Sequence, residues 1–256
     1  MKLKLVFFVS VSLLLINIQA NAQQKKIYPV TSGEMIFSQS SASFTQEFLD
    51  QYPNARLAAN NVRYTVFFHI GQYIHFDFNN MVGLYSGLAI RNVGMITDES
   101  LPQTVSLTGD SSQYTDYKII RRQYTLGIPL ALKLGSFSKH LYFFGGAEAE
   151  LAFHFKEKYW TGEFDRDDSK TKDKEWFANQ TPTILPSVFA GMQFPRGINL
   201  KFKYYLTDFL DSGYKVSSNS QEGTVFSVSD LSRYAKSNVF YISLCWQFRT
   251  DELFGE

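Results

Sequence analysis

The chain has 256 residues, of which 45% are hydrophobic and 16% aromatic, and its formal net charge is +1. Loss of residues 1–22 would remove Lys2 and Lys4 and change that charge to −1, a balance that gives no support for nucleic-acid binding. The single cysteine, Cys245, excludes an intramolecular disulfide, and its place between Leu244 and Trp246 favours a packed strand residue over a catalytic thiol.

The N-terminus has the pattern of a secretory signal peptide. Two lysines precede an apolar run at 5–18, and residues 20–22 (Ala-Asn-Ala) form a small-residue cleavage pattern. The run is short for a transmembrane helix, and no second apolar stretch reaches helix-spanning length. We therefore predict an exported protein. If it spans a membrane, it must do so as a closed β-barrel, because lipid offers no hydrogen-bond partners and a closed barrel pairs all of its backbone N–H and C=O groups internally.

Eight segments of the mature chain alternate apolar and polar residues with a period of two, which is typical of strands with one apolar face. Between 126 and 134, for example, the even positions read Leu, Ile, Leu, Leu, Leu and the odd positions Gly, Pro, Ala, Lys. The predicted strands cover about 34–42, 63–78, 82–91, 118–134, 141–156, 184–194, 198–206 and 240–248.

The connections between these segments are alternately long and short. Those at 79–81, 135–140 and 195–197 are short, whereas those at 43–61, 97–116, 158–181 and 211–236 are long. Short periplasmic turns and long external loops are typical of outer-membrane barrels. The predicted fold is all-β: an eight-stranded antiparallel up-and-down transmembrane β-barrel. Its predicted parts are a signal peptide (1–22), an N-terminal periplasmic segment (23–33), the barrel (34–248) and a C-terminal tail (249–256).

Two prolines lie inside predicted strands. A closed barrel has no edge strand to accommodate Pro129 and Pro186, so we expect a bulge or a local loss of pairing at each.

Alternation alone does not say which face points to lipid. Bulky aromatic residues on the polar face (Phe67, Tyr73, Phe144, Phe189) suit a crowded lumen better than a wet surface. Other aromatics gather near strand ends, at 142–144 and 159–160, like an interfacial girdle. With the apolar face outside, the residues predicted to form a structural polar network in the lumen are Arg63, Asp77, Arg91, Arg121, Lys133, Glu148, Glu150, Lys201 and Lys203.

Four segments carry a resemblance to a known family. They are 33–38 (GEMIFS), 83–94 (GLYSGLAIRNVG), 124–135 (YTLGIPLALKLG) and 191–206. The chain resembles the small outer-membrane β-barrel proteins of the OmpX/OmpA-like eight-stranded kind, and among them the PorT-like barrels. The resemblance covers nearly the whole mature chain. It implies an architecture and no active site, and the link of PorT-like proteins to secretion is not transferred to this chain.

Two constellations could carry chemistry. On one predicted strand Glu148, Glu150 and His154 share a face, so a histidine–carboxylate relay is geometrically feasible for a lipid-modifying enzyme. No GxSxG element accompanies it, and an ordinary luminal network is the favoured interpretation. His69, His75 and Asp77 also share a face, and their spacing suits a metal, but without further clustered ligands we expect a packed lumen.

Two of the long connections have features of their own. The charged segment 156–175 predicts a solvated external loop, or a surface that contacts lipopolysaccharide or a partner. The connection 43–61 has the spacing of a helix N-terminus, with Ser43 and Gln46 as a capping box.

The sequence thus predicts a monomeric, non-enzymatic barrel of the bacterial outer membrane, without cofactors or metals, that has a structural, accessory or surface-interaction role and is not a general diffusion pore. The expected partners are outer-membrane lipid and lipopolysaccharide, and the barrel-assembly machinery during biogenesis. The alternatives are a lipid-modifying outer-membrane enzyme and a soluble, lipocalin-like periplasmic barrel that binds an apolar ligand.

Overall fold

The structure is a computed structural model that describes residues 26–59, 61–66, 69–102, 114–161, 171–216 and 227–249. The predicted signal peptide and the residues beyond Arg249 lie outside this part of the chain. No helix among the described residues is both long and apolar enough to cross a membrane.

Nearly all of the regular structure among the described residues is β-strand, with one short α-helix and a single 3-10 turn at Pro195–Gly197. The helix is α1 (Gln46–Gln51). The strands are β1 (Lys26–Phe44), β2 (Arg56–Ala58), β3 (Arg63–Thr65), β4 (Ile70–Asp77), β5 (Val82–Pro102), β6 (Tyr114–Ser136), β7 (Leu141–Thr161), β8 (Thr171–Trp176), β9 (Ile184–Gln193), β10 (Ile198–Tyr205) and β11 (Tyr234–Arg249).

Eight of these strands close into a ring. Antiparallel pairs join them in the order β1, β4, β5, β6, β7, β9, β10 and β11. The ring closes where β11 pairs with β1, from Val30 opposite Arg249 to Phe44 opposite Tyr234. The short strands β2, β3 and β8 are added to β5, β1 and β7 respectively. The eight-stranded antiparallel barrel that the sequence predicts is therefore confirmed.

Several strands are longer than their apolar alternation indicates. β1 begins at Lys26, so residues 26–33, predicted as a separate N-terminal segment, form a strand that pairs with β4. β5 continues to Pro102 and β6 begins at Tyr114, which is opposite Pro102, so residues 97–102 and 114–116 of the predicted loop 97–116 belong to the strand ladder. The outward residues Asp98 and Asp116 of the β5–β6 extension are polar, because this hairpin lies beyond the lipid-facing part of the barrel. The β1 extension differs, since its exposed Ile27 lies opposite Phe76 of β4 and faces lipid.

One predicted strand is interrupted. The segment 63–78 forms two strands, β3 and β4, and only β4 pairs with both of its neighbours in the ring. Pro129, as expected, coincides with a local loss of pairing: the β5–β6 ladder skips from Ser86–Leu130 to Ala89–Gly127. The Ser86 hydroxyl donates to the Pro129 carbonyl at 2.7 Å.

Pro186 is accommodated without a break towards β7, since it stays opposite Ala149. On the other side of β9, the pairing with β10 extends only as far as Ser187, so Pro186 lies just outside it. There the Pro186 carbonyl accepts a hydrogen bond from the Leu206 amide at 2.9 Å. A proline is tolerated at this end of the ladder because its missing N–H has no ladder partner to satisfy.

A bulge in β7 reverses the faces of that strand near its extracellular end. The pairing with β6 shifts between Tyr124 and Thr125, which leaves Phe153 without a partner residue. Below the bulge Glu148 and Glu150 are buried; above it Phe155 and Glu157 are buried instead. A bulge adds one residue to one strand, so every side chain beyond it changes face.

The apolar rows of the strands face outwards. Ile128 and Leu130 on β6 are 58% and 61% exposed, and Ile242 on β11 is 50% exposed. Ala131 and Lys133, which alternate with the outward-facing residues of β6, are buried. Comparable exposed residues occur on all eight strands of the ring, and together they form a belt around the barrel. A soluble lipocalin-like barrel has its apolar face inside, so that alternative is wrong.

Candidate functional site: the filled lumen

The middle of the lumen is filled by six charged side chains, which we call the central charge cluster. Three are acidic and three are basic, and all are buried. They are Glu34, Arg91, Glu148, Glu150, Lys201 and Lys203. Period-two alternation on β1, β5, β7 and β10 directs them inwards to one level of the barrel.

Arg91 lies at the centre of this cluster. Its Nε donates to Glu34 Oε2 at 3.1 Å, and its Nη1 donates to Glu148 and, at 3.3 Å, to Glu150. Lys203 donates to Glu148 Oε2 at 2.7 Å and also to Glu150. The opposite charges are equal in number, so the cluster is neutral as a whole, which limits the cost of burying it.

Neutral hydroxyls complete the coordination of the carboxylates. Thr125 Oγ1 and the Tyr205 hydroxyl donate to Glu150 Oε2 at 2.7 and 3.0 Å. Lys201 Nζ lies 2.7 Å from Glu34 Oε1. Each buried charge thus has more than one polar contact or a direct ion pair, as a satisfied network in a low-dielectric interior requires.

Gly127 makes room for the central charge cluster. A Cβ atom at this position of β6 would lie 2.1 Å from Glu148 Oε1 and 3.1 Å from Arg91 Nη1. The Arg91–Glu148 pair passes across β6 at this glycine, so any side chain there would displace the carboxylate.

A second ion pair lies nearer to the short turns. Lys133 donates to Asp77, and its Nζ is 3.1 Å from His75 Nδ1 and 3.3 Å from the Tyr28 hydroxyl. Tyr28 in turn donates to Asp77 Oδ2 at 3.0 Å. Next to this pair the lumen opens into a cavity of about 660 Å³ at the end that carries the short turns.

Aromatic side chains separate the two ion-pair levels. Tyr73, Tyr85, Phe144 and Phe189 form a buried cluster there with two alanines and Tyr142. Phe144 and Tyr142 therefore lie in the lumen, and the predicted girdle at 142–144 is wrong except for Phe143, which is 61% exposed.

A third polar group, which we call the cap cluster, lies beyond the belt on the side of the long loops. Glu99 accepts from Arg233 Nη2 at 2.9 Å and from the Tyr234 hydroxyl, and Arg121 Nη1 lies 3.4 Å away. Arg121 Nε donates to Glu157 Oε2 at 2.6 Å. Burial alone would raise the pKa of Glu99, but Arg233 and Arg121 outweigh it and hold that pKa below its ordinary value.

Apolar side chains close the same end of the barrel. Phe48 of α1 and Tyr52, the residue directly after α1, pack in one cluster with Phe209 and Leu231 from the last long connection. The helix is capped by Thr45, whose Oγ1 accepts from the Phe48 amide at 3.2 Å, and not by Ser43, which belongs to β1. The extracellular mouth is thus covered by a small hydrophobic core that the charged cap cluster anchors.

Arg63 has a different role from the other predicted lumen residues. Between β3 and β5 no strand ladder forms, and Arg63 Nη1 donates to the Asn92 carbonyl at 3.0 Å. Its Nη2 donates to Asn92 Oδ1 at 2.6 Å, while the Asn92 amide donates to His69 Nδ1 at 3.3 Å. Two side chains therefore satisfy backbone groups that the interrupted strand leaves without a ladder partner.

The nine predicted lumen residues are therefore divided among four places. Five lie in the central charge cluster, Asp77 and Lys133 pair near the cavity, Arg121 joins the cap cluster, and Arg63 bridges to Asn92. The prediction missed Glu34, Glu99, Glu157 and Arg233. Glu34 alternates with Met35 and Phe37 and was detectable by the same period, whereas the others lie in or beside segments predicted as loops.

The hypothetical catalytic relay is not assembled. Because of the β7 bulge His154 faces outwards, with its ring centroid 4.8 Å from that of Trp176, while Glu148 and Glu150 face the lumen. His69 and His75 are also apart, one at Asn92 and one at Lys133. No group of three or more His, Cys, Asp or Glu side chains within the described ranges could hold a metal ion.

A closed antiparallel ring with an apolar exterior and a charged interior reverses the arrangement of a soluble protein. Only a surrounding lipid phase makes both faces favourable, since lipid solvates the belt and the buried ion pairs satisfy one another. The structure therefore defines the class of outer-membrane β-barrels, with the short turns on the periplasmic side and the long connections outside the cell.

Comparison with known proteins gives the following. No protein-family model and no curated protein matches the chain. Among solved structures, Ail, the attachment invasion locus protein of Yersinia pestis, is 11% identical over 86% of this chain and 99% of its own, with a TM-score of 0.31. OprG of Pseudomonas aeruginosa is 10% identical over 89% and 98%, with a TM-score of 0.33. The assignment of the class rests on the strand pairing and the two faces described above.

Proposed function

We propose that the protein is a non-catalytic, monomeric outer-membrane barrel that acts through its extracellular surface, in a structural, accessory or adhesive role, and that it conducts no solutes. The observation that carries the proposal is the central charge cluster. Arg91 and Lys203 meet Glu148 and Glu150 in the middle of the lumen, and an eight-stranded barrel has an interior only about wide enough for its side chains.

Both ends of the barrel support this proposal. The extracellular mouth is closed by the apolar side chains of α1 and the last long connection, with the cap cluster beneath them. The periplasmic cavity is lined by His75, Asp77 and Tyr142, and the buried aromatic cluster lies between it and the central charge cluster, so the cavity is a recess and not a channel. The separation of His154 from the two luminal glutamates removes the best candidate for catalysis.

Conductance across a planar bilayer tests the proposal. We expect the full-length, refolded chain to give no stable conductance steps, with a general porin as positive control. Gel electrophoresis of boiled and unboiled samples verifies that the protein added to the bilayer is folded, because boiling changes the electrophoretic mobility of a folded barrel. Regular open-channel steps from a folded sample would contradict a sealed lumen.

Location and biogenesis are part of the same proposal. The signal-peptide pattern at 1–22 supports export, and the barrel supports insertion by the outer-membrane assembly machinery. Fractionation of expressing cells should recover the chain with the outer membrane. Recovery in the soluble periplasm would contradict the proposal.

A further inference from the structure

A cavity of about 660 Å³ opens at the end of the barrel that carries the short turns. Its volume lies within the range of roughly 300–1,000 Å³ that is usual for small-molecule sites. The aromatic residues Tyr28, Phe137 and Tyr142 line it, and so do the amide residues Asn80 and Gln193. We call this space the periplasmic recess. It combines flat apolar rings with amide groups that both donate and accept hydrogen bonds.

The contacts of Lys133 next to the recess fix the protonation of His75. Lys133 donates to Asp77, and its Nζ lies 3.1 Å from His75 Nδ1 and 3.3 Å from the Tyr28 hydroxyl. An ammonium group has three N–H donors and no acceptor, so the Nδ1 atom of His75 must accept. The imidazole is therefore neutral and carries its proton on Nε2, which makes Nε2 a donor.

This donor of His75 has no acceptor within the described part of the chain. His75 is 1% exposed, and no acceptor of the described residues lies within hydrogen-bond distance of its Nε2 atom. A buried N–H group without an acceptor is unfavourable, and such groups are rare in folded proteins. His75 lines the recess, so a bound molecule that carries an acceptor oxygen would satisfy this donor.

The charges around the recess favour an anion. Asp77 is the one carboxylate among the described residues that line it, and Lys133 neutralises that carboxylate. Arg196 and Arg249 also line the recess. The guanidinium carbon of Arg249 lies 4.7 Å from the centroid of the Tyr28 ring, while Arg196 is exposed at the rim. Guanidinium groups pair with carboxylates by two parallel hydrogen bonds, so the rim suits a ligand of negative charge.

The turn that carries Arg196 gives no reason of its own for an arginine. Arg196 lies between β9 and β10 with a φ of 69°, in the left-handed region. Residues other than glycine are uncommon there, and asparagine and aspartate are the favoured exceptions. A residue held in an unfavourable conformation is often one that contacts a ligand. An anion at the rim of the recess accounts for the arginine at this position.

We propose that the periplasmic recess binds an anionic sugar. The carboxylate of the sugar pairs with Arg196 at the rim, and one of its neutral oxygens accepts from His75 Nε2. The aromatic residues of the wall pack against the C–H face of the sugar ring, and the amides bind its hydroxyl groups, which also both donate and accept. The sugar does not pass further, because the aromatic cluster and the central charge cluster fill the lumen beyond the recess. This inference goes beyond the proposed function, which concerns the sealed lumen and the extracellular surface.

The test titrates the full-length chain, folded in detergent micelles, with galacturonate and with galactose. These two sugars differ only in that a carboxylate replaces a hydroxymethyl group. Arg196→Gln removes the charge at the rim without touching the buried network. The matched control is Arg56→Gln, which removes an exposed charge from β2 at the opposite end of the barrel. Calorimetry measures the affinities, and the NMR signal of the His75 Nε2–H group reports whether the sugar lies in the recess.

We expect the wild type to bind galacturonate more tightly than galactose and the His75 signal to shift during the titration. Arg196→Gln should bind galacturonate about fivefold more weakly, since a hydrogen bond to a charged group at a partly exposed site contributes on that scale. It should bind galactose as the wild type does, and Arg56→Gln should match the wild type for both sugars. Equal affinities of the wild type for the two sugars, or an unchanged His75 signal, would overturn the inference.

His75→Phe tests the deep end of the recess. It retains an aromatic ring beside Tyr85, whose ring is stacked on His75 at 5.1 Å, and removes the donor. A folded His75→Phe protein should bind both sugars more weakly, and unchanged affinities would exclude the donor from the site. If this buried substitution prevents folding, Arg196→Gln on the exposed turn still decides the outcome.

Acetate provides the competing ligand. If acetate bound as tightly as galacturonate, the recess would recognise a carboxylate without a sugar, and the assignment would be wrong. Bilayer conductance and membrane fractionation test the sealed lumen and the location of the barrel separately. Open-channel steps count against the proposed function, whereas a folded, sealed barrel that does not bind galacturonate counts against the recess alone.

Discussion

Arg91 of β5 and Glu148 of β7 form an ion pair across the strand that separates them, β6, and so connect two strands that are not neighbours in the ring. Lys203 of β10 contacts the same carboxylate from the other side, across β9. The central charge cluster therefore links strands that the backbone ladder does not join, and we expect it to contribute to the stability of the whole barrel.

Removal of Arg91 should be strongly destabilising. Arg91→Ala leaves Glu34, Glu148 and Glu150 with an uncompensated negative charge in the lumen, and breaking a buried pair in this way costs about 3–5 kcal/mol. The free energy of unfolding in urea, measured in micelles, should fall by that amount. Arg56→Ala, at an exposed arginine of β2, should change it little. Equal effects of the two substitutions would show that the cluster contributes no special stability.

Gly127 should tolerate no side chain without a cost. In Gly127→Ala the new methyl group would displace the Glu148 carboxylate from Arg91, and we expect a loss of about 1–3 kcal/mol. Gly145→Ala is the matched control, because its nearest neighbour, the Phe189 carbonyl oxygen, would lie 3.4 Å from the new Cβ atom, in ordinary contact. The midpoint of urea unfolding compares the two variants. Indistinguishable midpoints would mean that the cluster adapts freely.

Loss of Glu99 should open the extracellular cap. Glu99→Gln leaves Arg233 and Arg121 without their shared carboxylate, so the segment 227–233 should leave the mouth more often, by on the order of a hundredfold. Trypsin cleavage after Arg233, which is buried in the closed state, reports this opening. Asp98→Asn is the neighbouring control, since it affects only exposed contacts, namely the pair with Lys118 at 3.6 Å and a hydrogen bond accepted from Asn61 at 2.6 Å. A resistant Glu99→Gln protein would count against the cap cluster as the anchor.

The cap should also weaken in acid. The pKa of Glu99 is lowered in the folded state, because the two arginines outweigh the effect of burial. Its contribution is therefore complete above the ordinary glutamate pKa of about 4.3 and is lost as the pH falls through the lower pKa of the folded protein. Hydrogen exchange in residues 227–233, corrected for intrinsic rates, should show increasing opening over this acidic range. In Glu99→Gln this pH dependence should be absent; if it persists, another group causes it.

The barrel could be predicted from sequence because lipid imposes a simple rule on the spanning part of each strand. Leu130 faces out and Lys133 faces in for the same reason: their positions differ by an odd number in an uninterrupted strand. Beyond the membrane this rule no longer applies. Thr97 and Glu99 continue the inward face of β5, but the outward residues Asp98 and Ser100 are polar, so the segment resembled a loop.

The bulge at Phe153 could not be predicted from the alternation. Apolar residues occur on both sides of it, at Leu151 and at Phe155, and a period-two count passes through without interruption. A single inserted residue therefore moved His154 from the predicted face of Glu150 to the outside. Contacts such as Glu99 with Arg233 join residues far apart in the chain, and only the closed ring brings them together.

The pairing of β1 with β11 that closes the ring also completes the ion pairs of the central charge cluster. Glu34 lies on β1 and Lys201 on β10, and they meet only when β1 pairs with β11. An open sheet with the two terminal strands apart would hold Lys201 without that carboxylate in a setting that solvates it poorly. A partly assembled barrel in which β1 and β11 are not yet paired is therefore less stable, which makes the closure of the ring cooperative. Only the complete barrel satisfies all of its buried charges.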